Sequence, residues 1–206
     1  MIPLVIIPTL DAVRARKTVQ VVLERAGTSC EVLVVEDGER RGYTRTVNVG
    51  LAQAQDPDTG TWRDVCILVD DCVPSENWLA TLQEEAKRRA SLRVWFAGPS
   101  GTCRTFPQAA GRLGDRRRPQ VVAHLAGFCL WIEAEALACL GLLDERYTHY
   151  GSDVDYQRRA ARDYGATSLW VPSVYVAHEL HPPHAEWWAE DQRTLETQWS
   201  NVHQEA

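Results

Sequence analysis

"LVDDCVPSENWL", residues 68–79, is the stretch on which the reading of this chain turns. An apolar run ends in two adjacent carboxylates, Asp70 and Asp71, and a proline and a helix-like segment follow. Like charges side by side at the end of a buried strand repel each other unless something positive sits between or beside them. Upstream, "VCILVDD" (65–71) reads as a buried strand. Downstream, "SENWLATLQEEAKRRA" (75–90) reads as a helix capped by Ser75, with Trp78, Leu79 and Leu82 as its apolar stripe. The acids therefore stand where a strand hands over to a helix, the end of such units at which ligands bind.

Two similar units precede it. "PLVIIP" (3–8) is a short apolar run, Asp11 can cap a helix reaching about Ala26, and Gly27 can stop it. "CEVLVVEDG" (30–38) is a strand closed by acids and a glycine. "YTRTVNVGLAQAQ" (43–55) is helical by spacing, although Val47, Val49 and Gly50 weaken it. "DPDTGTWRD" (56–64) is a turn-rich loop. This alternation predicts an α/β fold with a Rossmann-like, mostly parallel sheet flanked by helices. Thr9, Glu36, Asp37, Asp70 and Asp71 then gather along one sheet edge despite their separation in sequence.

The second half is less regular. "VWFAGPSGTCRTFPQAAGRLGDRRRPQ" (94–120) starts as a strand and becomes a Gly/Pro/Arg-rich loop or small hairpin. A strand and then a helix from near Glu133 follow, and a further helix starts at Ser152. "SLWVPSVYVAHE" (168–179) supplies one or two strands, and the tail reads as a helix offering Trp187, Trp188 and Trp199 for packing.

At 206 residues one domain is expected, and 45% hydrophobic residues suffice for a core. A net charge of −6 argues against a general nucleic-acid binder. No run approaches the roughly 20 apolar residues that span a bilayer. "MIPLVIIPTLDAVRARK" lacks the basic leader and cleavage site of a signal peptide. The six cysteines form no C-x-x-C pair, and several lie inside apolar runs. Buried, reduced thiols and a cytoplasmic location are the expectation.

Four blocks, taken in order, resemble the inverting glycosyltransferases of family 2, nearest their rhamnosyltransferase-like branch: "VIIPTLD", "VLVVEDGE", "CILVDDCVPSENWL" and "GFCLWIEAEALACLGLLDERYTHYGSDVDYQRRAARDYG". The resemblance covers about residues 1–180. It implies a single GT-A domain there, with a nucleotide-sugar half (1–93), an acceptor and catalytic half (94–180) and a helical tail (181–206). It also implies a UDP-, dTDP- or GDP-linked donor, a divalent Mn²⁺ or Mg²⁺, and inverting transfer to the hydroxyl of a glycan, polymer or other acceptor.

Carried over residue by residue, the family's metal-binding acidic motif falls on Val69-Asp70-Asp71, with Pro74 as marker. Asp71 is the implied ligand, and Asp70 joins it directly or through water. Val69 replaces the family's first acid, which contacts the donor ribose. His178 matches a histidine that completes the metal shell, while His181 and His184 read as solvated. Asp37 matches the residue that accepts from a pyrimidine, Pro8 and Thr9 the other wall of that slot, and Glu36 is a longer version of the usual acid. Arg45 and Asn48 lie near where the family helix approaches the donor. Asp153 matches the general base, placed by a Ser152 cap in the first turn of a helix, where the dipole favours a carboxylate. Ser152 itself replaces a glutamate on the acceptor side, where Trp131 can stack on a sugar or simply pack in the core.

Each motif has a plainer reading. An acidic pair can cap a helix, Asp-Gly is a common turn, and "GRLGDRRRP" (111–119) is more often a solvated loop than a seat for a phosphate-bearing acceptor. A nucleic-acid acceptor is allowed but not favoured. The rival from another class is a nucleotide-sugar or glycan-binding module with catalysis lost, motivated by Val69 and Ser152. A nucleotidyltransferase ranks last, because "IIPTLDAVRARK" is not a glycine-rich phosphate loop.

Overall fold

The computed structural model describes residues 1–105, 107–179 and 182–200. Three strand–helix units lead the chain: β1 (Leu4–Thr9) with α1 (Ala12–Arg25), β2 (Glu31–Glu36) with α2 (Tyr43–Ala52), and β3 (Val65–Leu68) with β4 (Val73–Pro74) and α3 (Trp78–Arg88). Then come β5 (Val94–Gly101), β6 (Gln120–Val122), β7 (Cys129–Ile132), α4 (Ala134–Leu140), α5 (Ser152–Tyr164), β8 (Thr167–Ala177) and α6 (Ala185–Trp199). The sheet runs β2-β1-β3-β7-β5-β8-β4, and β6 also pairs with β8. Strands β1, β2, β3, β5 and β8 point one way, whereas the short β4, β6 and β7 run against them.

Alternation along β1 divides the core. Val5 and Ile7 face one layer with α1 and α3, through Ala15, Val22, Trp78, Leu79 and Leu82. Leu4 and Ile6 face the other with α2, α4 and α5, through Val47, Leu51, Leu137 and Tyr156. A sheet covered on both faces needs apolar residues at every strand position, which is why β1 and β3 carry no polar alternation. Gly50, unfavourable for a helix by propensity, has a packing reason: a Cβ there would stand 2.5 Å from Ile6 Cγ2.

Several local expectations are corrected. The third strand ends at Leu68, so Asp70 and Asp71 lie in the turn beyond it. Ser75 does not cap α3: its Oγ accepts from Tyr175 N at 3.2 Å, and left-handed Asn77 opens the helix. Nor does Ser152 cap α5, which opens at left-handed Gly151. His181 lies outside the described residues. Among the described residues, no helix is long and apolar enough to cross a membrane.

The tail helix α6 is tied to the domain by two buried acids. Asp191 accepts from the backbone N–H groups of Thr148, His149 and Tyr150 at 2.7–2.9 Å. Asp155 of α5 accepts from Gln198 Nε2 at 2.7 Å, Trp199 Nε1 at 3.0 Å and Arg159 Nε at 2.9 Å.

At the opposite end of the sheet, Glu133 is pushed up to about 7 by burial and by the neighbouring Asp64. A carboxyl whose pKa is higher in the folded protein holds its proton more tightly there than in the unfolded chain. Its stabilising effect is complete at low pH and is lost as pH rises through about 7. Glu133→Gln, which keeps an acceptor for Trp131 Nε1, is expected to flatten the fall in stability between the ordinary glutamate range and about pH 7. Urea midpoints measured across pH for both proteins check this; parallel curves would remove Glu133 as the cause.

Candidate active site

The positive partner required by the acid pair is Arg14, in the first turn of α1. Its Nη2 lies 3.0 Å from Asp70 Oδ1 and 3.1 Å from Oδ2. The Thr9 hydroxyl also donates to Asp70 Oδ2, and Thr18 Oγ1 donates to the Asp70 carbonyl. Thr9 Oγ1 in turn accepts from Asp11 N at 2.8 Å, while the Asp11 carboxylate caps α1 at Val13 and Arg14. The ends of β1 and β3 and the start of α1 thus share one hydrogen-bond network. Both carboxylate oxygens of Asp70 are engaged in that network.

Asp71 takes a different environment. Its Oδ1 lies 3.5 Å from His178 Nε2, just beyond the end of β8. The other ring nitrogen, Nδ1, is 3.0 Å from the Thr102 carbonyl. A carbonyl only accepts, so Nδ1 carries a hydrogen, and Nε2 is the ring nitrogen that faces Asp71. The Phe128 ring stacks on the imidazole at 5.2 Å. A backbone carbonyl that fixes the tautomer and frees the other nitrogen is the usual support for a metal-binding histidine. One carboxylate and one imidazole fit a divalent cation that takes its remaining ligands from phosphate and water. Among the described residues no group of three or more His, Cys, Asp or Glu is placed to hold a metal by itself.

Asp153 opens the third part of the edge. Its Oδ2 accepts from Gly127 N at 2.6 Å and its Oδ1 from Val154 N at 2.9 Å. The Tyr43 hydroxyl donates to the Gly127 carbonyl at 2.8 Å. A Cβ on Gly127 would meet Tyr43 Oη at 2.8 Å and Asp153 Oδ2 at 3.1 Å, so only glycine lets all three approach. Burial pushes the Asp153 pKa above the ordinary aspartate value, while the backbone N–H groups and nearby His124 act against the rise. The result is a carboxylate more basic than one in water.

Other candidates are placed elsewhere. Trp131 is wholly buried between β3 and β5, with Nε1 on Glu133, and offers no face to a sugar. Ser152 is also wholly buried and accepts from Thr44 Oγ1, so it does not reach an acceptor. Asn48 joins α2 to the 143–145 loop through Leu143 and Glu145, and Arg45 pairs with Glu145 at 3.5 Å; both are turned to that loop. Asp37 uses its two oxygens on Arg41 N and Gly42 N, organising the loop into α2. Pro8 is buried beside Val35, and exposed Glu36 stands in register with Thr9. Arg14, Thr18, Tyr43, Thr102 and Gly127 join the site without having been singled out. Arg14 had a visible signal, since a cation in a helix's first turn opposes the dipole and needs a reason.

No family model matches the chain, and no curated protein matches it. Solved structures do. GalNAc-T7, determined with UDP, GalNAc and Mn²⁺, aligns with a TM-score of 0.63 at 17% identity over 86% of this chain. The mannosyltransferase PcManGT from Pyrobaculum calidifontis, determined with GDP-Man and Mn²⁺, aligns with 0.61 at 17% identity over 99%. S. aureus TarS aligns with 0.66 at 15% identity over 96%. The fold is GT-A. The chain spans 44%, 64% and 39% of those three proteins, respectively.

In this GT-A domain the segment that leads into Asp153 is fixed from outside, because Thr148–Tyr150 hang on Asp191. Asp191→Ala leaves three backbone N–H groups without their acceptor. We expect a loss of about 3–5 kcal/mol, read as a melting temperature lowered by roughly 10 °C. Calorimetry checks this, and an unchanged melt would show that water takes over the acid's part.

Proposed function

We propose that this chain moves a sugar from a nucleotide-diphosphate donor to an acceptor hydroxyl with inversion at the anomeric carbon. The observation that carries the reading is the convergence, on one edge of a GT-A sheet, of the Asp71–His178 pair and the basic carboxylate of Asp153. The neighbours determined with UDP or GDP-Man and Mn²⁺ support a donor of that kind. Imidazole favours Mn²⁺ over Mg²⁺. The Asp37 loop, Thr9 and Glu36 border the donor, while the acceptor is a glycan, polymer or other hydroxyl-bearing compound. Six free cysteines are consistent with work in a reducing cytoplasm.

Asp153 accepts the proton of the acceptor hydroxyl as its oxygen attacks the anomeric carbon. The bond from that carbon to the diphosphate oxygen breaks on the opposite face, which inverts the configuration. Gly127 N and Val154 N hold the carboxylate in place. Asp71 and His178 hold the divalent cation, which when bound stabilises charge on the leaving diphosphate.

A donor-binding module with no turnover is the second reading. It is favoured by Val69, a partly buried apolar residue packed on the core where the family carries an acid. Asp153→Asn separates the two. A general base contributes roughly 10²–10⁴ in rate, so the variant is expected to lose about 10² or more in kcat with little change in donor Kd. The parent's acid limb should lie above the pH at which an ordinary aspartate titrates, because protonation removes the base. Equal transfer rates would displace Asp153 from the role, and a bound donor that is never consumed would favour the module.

The metal pair has its own test. Asp71→Asn is expected to abolish the Mn²⁺-dependent part of nucleotide affinity, and His178→Ala to raise the Mn²⁺ concentration needed for half-maximal binding. Calorimetric titrations with and without Mn²⁺ that coincide for all three proteins would exclude the pair as ligands.

A further inference from the structure

The geometry points to Arg14 as a direct binding residue for the donor's phosphates, the protein's own fixed positive charge beside the cation site. This rests on the donor reading above and adds a residue to it.

Arg14 grips Asp70 with one nitrogen. Nη2 reaches both carboxylate oxygens, at 3.0 and 3.1 Å. A guanidinium carries five N–H donors, and a parallel two-nitrogen fork is its usual way of satisfying a carboxylate. Here that fork is not formed, and Nε is left out of the pairing with Asp70. Nε is shielded from solvent and among the described residues finds no hydrogen-bond partner, although the side chain as a whole is 42% exposed. A shielded N–H left unpaired is costly, and an oxygen-rich ligand removes that cost.

Its position suits phosphate. Asp71 contributes electrostatically to Arg14 alongside Asp70, so the guanidinium stands close to the acid pair. Asp71 faces His178 on the β8 side, whereas Arg14 approaches from α1. A diphosphate seated against Asp71 and a cation would then have a guanidinium at its other flank. A planar, always-charged guanidinium is well matched to phosphate oxygens. It also keeps its charge without metal, so part of the phosphate recognition should survive chelation.

The test is calorimetry with UDP, UMP and uridine, and with GDP, GMP and guanosine, on the parent, Arg14→Gln and Arg14→Lys. Each titration is run in EDTA and in Mn²⁺, after thermal melts confirm folding. The expected result is a parent that prefers diphosphate to nucleoside even in EDTA. Arg14→Gln should weaken diphosphate binding by roughly 10- to 100-fold, weaken monophosphate binding less, and leave the nucleoside unchanged. Arg14→Lys should recover part of the loss. A loss of equal size for nucleoside and diphosphate would mean that Arg14 only holds Asp70 in place, overturning the inference. So would parent-like diphosphate binding by Arg14→Gln. A parent that binds neither these six compounds nor dTDP in either condition overturns the donor reading and this inference together.

Discussion

The organisation of the site depends on one buried carboxylate, Asp70. Three elements meet on it: the end of β1 through Thr9, the start of α1 through Arg14 and Thr18, and the turn after β3 through its own backbone. Removing one partner of a buried ion pair costs about 3–5 kcal/mol. The cost here is smaller, because Arg14 is half in solvent and water can take its place. What the pair fixes is direction. With Asp70 turned into the α1 network, its neighbour Asp71 is left to face His178. Two adjacent acids are thereby given separate duties, one holding the scaffold and one facing the imidazole across the edge.

This division explains what was legible in the sequence. The strand–helix rhythm of the first 90 residues reads directly, because both faces of the sheet are covered and β1 and β3 must be apolar throughout. Strand-end chemistry reads as well: Thr9, Asp70, Asp71 and His178 carry polar side chains at points where apolar runs stop. Helix caps read less well. Asp11 caps α1, yet Ser75 and Ser152, equally good by residue type, spend their hydroxyls on partners about 100 residues away. A local propensity cannot anticipate a distant claim on the same atom.

The same limit governs the donor candidates. Asn48 and Arg45 sit at a plausible helix position, but the turn 143–145 takes them, and that turn's path is set by α4 and α5. Trp131 is amphipathic and ambiguous in sequence. Its place between β3 and β5 puts it in the interior, where Glu133 satisfies its indole N–H. Arg14, by contrast, stands out in "DAVRARK" only as a cation in a first helical turn. Only the turn after β3, brought alongside by parallel pairing of β1 with β3, reveals what it meets.

The bond between Asp191 and the 148–150 backbone has a consequence for biosynthesis. The acceptor carboxylate lies 41 residues after Tyr150 in the chain. While the polypeptide is being made, the sheet and the layer of α1 and α3 can assemble before α6 exists. The peptide groups that set the approach to Asp153 remain unsecured until α6 has emerged and docked. Order around Asp153 is therefore acquired late, as a last step laid over a scaffold that is already folded.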